Sequence, residues 1–371
     1  MIETTDIGQY CKEYDRLRGN CFLRKADVEL PDRQLRLLGA TRERETLSAT
    51  HVLTRICREH FRNSKLRLIP ISGSGTFHII FEVHNETDCL SILKFGILPE
   101  NQQCMEFSIE VWAQQKLKAL DLPWLQTEWP CYDRRQADGD FQFQATAPGR
   151  TFKELLIDPE LDPKKTIGAW GKTMAGFHQI KGKGAGLIKV FGLEKETDTP
   201  EGLCADWSQF LTGHLENHLD TCRQDQVLGR QDILRIQSMF SELSKEPAID
   251  SPSLLHGDPG NGNLFAENEE ISAIIDWEDA LIGDPVFDIA GWATFYGNLQ
   301  YLDPFLDGYR SVSSTPTDYH WKFWLYFLRI SIARYVHRRR FNYPDPKEGP
   351  PAHHRIHKAL EELKRYNTTH G

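Results

Sequence analysis

A chain of 371 residues is longer than one compact core usually carries, so two lobes are expected. With 40% apolar and 11% aromatic residues it is too rich in core-forming side chains to be disordered. A net charge of −9 makes it a poor non-specific partner for nucleic acid and a suitable host for a cationic substrate, provided the acidic residues gather at one cleft.

Residues 1–45 are charged and weakly patterned, which predicts one or two surface helices packed on something larger. The N-terminus MIETTDIGQYCKEYDRLRG has no apolar stretch of the signal-peptide kind, so a cytoplasmic location is expected. Leu47, Val52, Leu53, Ile56 and Phe61 recur near helical spacing and predict an amphipathic helix over 46–63. The period then changes. LRLIPISGSGTFHIIFEVHNETDCLSILKFG alternates and is rich in β-branched residues, predicting strands at 66–71, 76–84 and 89–95. Ser72, Gly73, Ser74 and Gly75 join the first two strands. A helix is predicted over 103–120, with Phe107, Val111, Trp112 and Leu117 on its apolar side. A hairpin through 137–140 and a linker at 146–149 follow.

Beyond the linker the pattern is helical near 163–180, 203–221 and 230–244, with the Gly-rich stretch 181–202 read as a long loop. LFAENEEISAIIDW reads as two short strands about a turn at Asn268 and Glu269, and 285–365 is helical again. The apolar stretch Trp321 to Ile332 is interrupted by Arg329 and too short to span a bilayer, so it reads as a core helix. The eight cysteines form no C-x-x-C pair and have no His cluster beside them, which reads as reduced thiols rather than zinc ligands. The result is an α+β chain: an N-terminal helical extension over 1–45, a sheet-rich lobe over 46–146 and a helix-rich lobe over 147–371.

The stretch LLHGDPGNGNLF sets a carboxylate, Asp258, and a carboxamide, Asn263, in a loop between apolar segments. Phosphoryl transfer from a nucleotide needs a carboxylate at the attacking hydroxyl and oxygen ligands for magnesium. Asp258 can supply the first; Asn263 can turn an oxygen towards a metal. A hairpin after Asn263 would return Asp276, in IIDWED, to its neighbourhood as a second metal ligand. For the loop alone, a polar turn with an Asx cap is the simpler account; the downstream carboxylate weighs against it. Lys94 lies among Ile92, Leu93 and Phe95 on a strand, where it either faces a nucleotide's phosphates or extends its stem along the surface to water.

HGDPGNGN followed by IIDWEDALIGDPVFDIA resembles the aminoglycoside phosphotransferase family of small-molecule kinases, which share the bilobal protein-kinase-like fold. The family's catalytic loop is matched at His256, Gly257, Asp258 and Asn263, and its metal motif at Asp276, Glu278, Gly283, Asp284, Pro285 and Asp288. The resemblance implies ATP and Mg2+ as cofactors, Asp258 as the catalytic carboxylate, and Asn263 and Asp276 as metal ligands. It implies that His256 buttresses the loop and that Asp284 and Asp288 are structural. It places Lys94 on the α- and β-phosphates with Glu110, rather than Glu106, as its carboxylate partner. The turn Ser72–Gly75 would lend backbone N–H groups to phosphate oxygens, and Gln144 and Thr146 would lie at the hinge against adenine. Gly257 departs from the Arg of protein kinases, and D-F-G and A-P-E motifs are absent from the sequence, which argues against a protein kinase.

The acceptor is expected to be a small hydroxylated molecule. GAGLIKVFG and DWSQFLTGHLENHL faintly resemble hygromycin-type phosphotransferases, and acidic residues including Glu278 and Asp279 would attract a polyamine sugar, so an aminoglycoside-like antibiotic is favoured. The same residues equally fit a solvated acidic face. A metabolic kinase for an amino alcohol or sugar, and a non-catalytic nucleotide-binding scaffold, are the alternatives. The run Arg334, Arg338, Arg339 and Arg340 reads as a helix end.

Overall fold

The structure is a computed structural model and describes residues 4–27, 42–71, 78–96, 105–132, 136–137, 139–193, 199–295, 297–316, 318–343 and 351–370. The turn residues Ser72, Gly73, Ser74 and Gly75 lie outside the described residues.

The chain begins with α1 (Thr4–Arg18) and the single turn α2 (Arg24–Asp27), followed by α3 (Arg42–His60). Strands β1 (Arg67–Pro70), β2 (His78–His84), β3 (Cys89–Gly96) and β4 (Phe141–Gln144) make one antiparallel sheet in that order, with α4 (Glu106–Ala119) between β3 and β4 in sequence. Alternation along β2 and β3 divides the side chains between two faces. Ile79, Phe81, Val83, Leu93 and Phe95 join Leu53, Ile56 and Cys57 of α3 in a small core. The opposite face presents His78, Ile80 and Lys94; Ile80 registers beside Lys94, and Lys94 beside Gln142. That face lies over α4: the Gln142 side chain donates to Phe107 O at 3.1 Å. Residues Glu106 to Gln114 are buried all round the helix, so α4 is a spacer between two cores rather than a surface helix.

The second part carries β5 (Arg150–Thr151), α5 (Phe152–Leu156), α6 (Lys164–Phe177), β6 (Ala185–Ile188), β7 (Gly202–Cys204), α7 (Trp207–Thr212), α8 (Leu215–Gln224) and α9 (Arg230–Leu243). It continues through β8 (Ser253–Leu255), β9 (Leu264–Glu267), β10 (Glu270–Ile274), a short 3-10 turn at Trp277–Asp279 and β11 (Leu281–Gly283). Helices α10 (Pro285–Ala293), α11 (Leu302–Arg310), α12 (Tyr319–Arg340) and α13 (His354–His370) complete it. Two small antiparallel sheets, ordered β10-β9-β5 and β7-β6-β11-β8, frame the loop 256–263. The β9–β10 hairpin turns at Asn268 and Glu269, both left-handed with φ of 52° and 66°, as the two-residue turn requires. No helix among the described residues is long and apolar enough to cross a membrane.

Three expectations change. The stretch 181–202 is not one loop, since β6 pairs with both β7 and β11; a four-residue strand whose partner lies far along the chain leaves little local pattern. The helix expected over 203–221 breaks between α7 and α8, where buried Arg329 takes the carbonyls of Leu211 and Gly213, each at 2.6 Å. The N-terminal extension is not confined to the surface, because Arg18 and Arg24 are buried.

Helices α6 and α11 touch backbone to backbone: a Cβ at Gly308 would run into the backbone of Gly168. Gly308→Ala should therefore cost on the order of 2 kcal/mol in urea unfolding, whereas Gly262→Ala, with nothing within 4 Å of the added carbon, should stay within about 0.5 kcal/mol of the parent.

Candidate active site

Strand β8 delivers His256, Gly257 and Asp258 into the cleft, and a buried carboxylate behind them fixes their path. Asp288, on α10, accepts from the His256 N–H at 2.6 Å and the Gly257 N–H at 3.0 Å. His178 lies 3.3 Å from the same carboxylate and 2.9 Å from the Tyr309 hydroxyl; burial lowers its proton affinity, so it sits there as a neutral ring. His256 Nε2 is 2.9 Å from Ile275 O and must donate to it. Its Nδ1 is then left to accept from the Asp258 N–H at 3.3 Å. Gly257 has a φ of +82°, and a Cβ there would strike Asp279 O, which explains why no larger residue stands at this position. The Asn263 side chain donates to Asp258 O at 3.0 Å, leaving its own Oδ1 as the end that can meet a metal. Asp284 caps α10 by accepting from the Val286 N–H at 3.0 Å and from the Tyr326 hydroxyl at 2.9 Å.

Asp276 stands at the end of β10 in a left-handed conformation, φ 69°. Its N–H and that of Trp277 donate to the two oxygens of Glu110, at 3.2 and 2.6 Å. Gln144 donates to Glu110 Oε1 at 3.1 Å, so its side chain belongs to this hub. Lys94 Nζ lies 3.2 Å from Asp276 Oδ1 and 3.7 Å from Glu110 Oε2. Burial alone would lower its affinity for a proton, but Glu110 and Asp276 more than offset that and keep it an ammonium. Lys94, Glu110, Gln144 and Asp276 are thus brought together, and Thr146 is exposed beyond them. Asn263 and Asp276 offer hard oxygen donors, and the Asp276 side chain keeps 27% of its surface open, a donor set that fits magnesium.

Asp258 has neighbours that the sequence did not indicate. Arg334 Nη2 lies 3.0 Å from its Oδ1 and Lys25 Nζ 3.6 Å from its Oδ2. Burial pushes the Asp258 carboxyl up, and Lys25 and Arg334 hold it below the usual carboxylate range. Lys25 also sits 3.3 Å from Asp279, and Arg24 sits 2.6 Å from Glu106, 2.8 Å from Glu278 and 3.4 Å from Asp279. His78 bridges Glu278 at 3.1 Å and Glu106 at 3.3 Å. This corrects the picture of Glu278 and Asp279 as carboxylates open to a cationic acceptor, because both are buried against the chain's own cations. His78, Glu106 and Glu278 are close enough together to hold a metal, but Arg24 already bridges the two carboxylates. Arg24 and Lys25 carry no recognisable motif, and Arg334 belongs to a basic run that reads as a helix end. The pairing across the fold is what reveals all three.

Solved structures share this architecture. A thermostable mutant of aminoglycoside phosphotransferase APH(4)-Ia, in ternary complex with ADP and hygromycin B, superposes with a TM-score of 0.59 at 15% identity, covering 83% of this chain and 98% of that one. The fold is therefore the bilobal protein-kinase-like one, in the α+β class. The chain belongs to the phosphotransferase enzyme family, whose sequence model matches residues 108–324. Among curated proteins it is similar to acyl-CoA dehydrogenase family member 11 of Homo sapiens, 26% identical over 54% of this chain and 24% of that protein. It is also similar to viomycin phosphotransferase of Streptomyces vinaceus, 30% identical over 26% of this chain and 33% of that protein. The matched stretches thus span about a quarter to a third of the length of these curated relatives.

Burial would lower the His78 value, but Glu278 and Glu106 raise it from 6.5 to about 9. The stabilisation from this proton is complete below about pH 6.5 and is lost as pH rises through about 9. Calorimetric unfolding should show stability falling by on the order of 3 kcal/mol across that window. His78→Gln should flatten that part of the profile.

Proposed function

We propose that this protein is an ATP- and Mg2+-dependent O-phosphotransferase that moves the γ-phosphoryl group to a hydroxyl of a small molecule. The observation that carries the reading is the convergence of Lys94, Glu110 and Asp276 with the loop that presents Asp258 and Asn263. The ADP held by the structural neighbour supports nucleotide use. Asn263 and Asp276 would hold magnesium, which when bound would draw charge from the phosphate oxygens. Lys94, fixed by Glu110, would meet the same phosphates from the sheet side. Asp258 would orient the acceptor hydroxyl and take its proton. The hydroxyl oxygen forms its bond to the γ-phosphorus as the bond to the ADP oxygen breaks, leaving a phosphate monoester and ADP. Lys25 and Arg334 keep Asp258 ionised, so the base is ready at neutral pH.

An aminoglycoside-like acceptor is the second reading, supported by the hygromycin B complex and by the viomycin phosphotransferase relative. The internal ion pairs of Glu278 and Asp279 weigh against it. An amino alcohol or sugar remains within the same chemistry.

Asp258→Ala should lower acceptor-dependent ADP formation at least about 100-fold while nucleotide affinity stays within about threefold. Asp276→Ala should instead weaken Mg2+-dependent nucleotide binding, read by calorimetry with and without the metal. ATP turnover that survives Asp258→Ala unchanged would place the chemistry elsewhere.

A further inference from the structure

Two cations border the Asp258 carboxylate, and they are held differently. Arg334 is fixed through its whole head: one guanidinium nitrogen lies 3.0 Å from Asp258 Oδ1, the other meets the Thr294 hydroxyl, and the plane stands over the Phe295 ring at 4.0 Å. Lys25 Nζ instead stands 3.3 Å from Asp279, 3.6 Å from Asp258 Oδ2 and 3.6 Å from Glu278. Charge-assisted hydrogen bonds close to about 2.7–2.9 Å, so this ammonium lies among three carboxylates without being bound tightly to any of them. Neither oxygen of buried Asp279 has a hydrogen-bond partner among the described residues, although Lys25 faces one of them. The Lys25 side chain keeps 12% of its surface open, so it is not sealed from solvent.

The backbone that carries Lys25 is fastened. Its neighbour Arg24 is buried against Glu106, Glu278 and Asp279. Asp27 accepts from the N–H groups of Phe22 and Leu23, each at 2.8 Å, and lies 2.6 Å from His218. Arg340 donates to Ala26 O at 2.8 Å. A fixed backbone thus delivers a charge on a flexible stem whose donors can rotate. Burial would lower the proton affinity of Lys25, but Asp279, Asp258, Glu278 and Asp276 raise it above the ordinary lysine value, so the group is an ammonium. Asp276 acts on it as well as Asp258, which puts the charge within electrostatic reach of both.

A γ-phosphoryl group passing to a hydroxyl at Asp258 would move towards a carboxylate of its own sign, with Glu278 and Asp279 close by. Lys94 and magnesium would offset that charge from the nucleotide side. On the acceptor side Arg334 is committed to Asp258 and Thr294, whereas Lys25 can turn a donor to a new oxygen without breaking a short bond. We infer that Lys25 is a further catalytic residue, whose ammonium takes a non-bridging oxygen of the γ-phosphoryl group while Arg334 keeps hold of Asp258. This rests on the phosphotransferase reading and adds a residue to it. Lys25 keeps its proton throughout, and the hydroxyl proton goes to Asp258. The N-terminal segment is then part of the site rather than a cover over it.

The test titrates the full chain by calorimetry, with Mg2+ present, against ADP and against the β,γ-imido analogue of ATP. The parent should bind the triphosphate more tightly. Lys25→Met should cut that preference about tenfold, the worth of one hydrogen bond to a charged group. ADP affinity should stay within about threefold, which reports an intact fold, and Lys25→Arg should recover most of the preference. A preference unchanged in Lys25→Met overturns the inference and leaves the phosphotransferase reading standing. Should Lys25→Met fail to bind ADP, the parent chain decides. ATP bearing an acyl phosphate at its γ end gives up the acyl group to amines beside it, and peptide mapping should find Lys25 acylated along with Lys94, with excess ATP suppressing both. Acylation of Lys94 without Lys25 overturns the inference. A parent chain that binds neither nucleotide overturns the phosphotransferase reading, and the inference with it.

Discussion

The two halves of this molecule are registered to each other by one buried carboxylate. Glu110, on the helix beneath the N-terminal sheet, accepts the backbone N–H groups of both Asp276 and Trp277 from the far side of the cleft. A carboxylate taken out of water requires such donors, and two amides plus a facing ammonium meet that need. The consequence is geometric. Asp276 cannot drift from Lys94, because the residue that holds its backbone also faces the lysine. A second carboxylate, Asp288, does the same for the loop 256–263 by taking the amides of His256 and Gly257.

Charge in the centre of the protein is balanced within the chain. Arg24, Lys25 and His78 stand against Glu106, Glu278 and Asp279, and Arg334 stands against Asp258. Such a set costs much to desolvate, and it holds because nearly every member has more than one partner. It also alters what the overall charge of −9 means. The acidic residues nearest Asp258, Glu278 and Asp279, are not a lure for cations in solution; Arg24 and Lys25 of the N-terminal segment already pair with them.

Local patterns made much of the architecture legible. The three N-terminal strands, the α4 helix and the β9–β10 hairpin were readable because each has a periodicity of its own, two for a strand and 3.6 for a helix. Strand alternation also set Lys94 on the face opposite Leu93 and Phe95. What escaped were elements stabilised from afar. Strand β6 is four residues long and exists because β11 pairs with it. The break between α7 and α8 exists because Arg329, more than 100 residues later, takes the freed carbonyls.

The sequence by itself determined the chemical inventory of the cleft: a loop with Asp258 and Asn263, a hairpin returning Asp276, and a lysine on a strand. Those follow from composition and spacing over a few tens of residues, the range across which the chain's own geometry dictates proximity. Only the tertiary structure decided which groups surround that inventory. Arg24 and Lys25 lie more than 200 residues before Asp258, and Arg334 lies at 3.0 Å from it after a turn through α10 and α12. Contacts of that separation are set by how whole elements pack, and an isolated charged residue carries no mark of the partner it will meet.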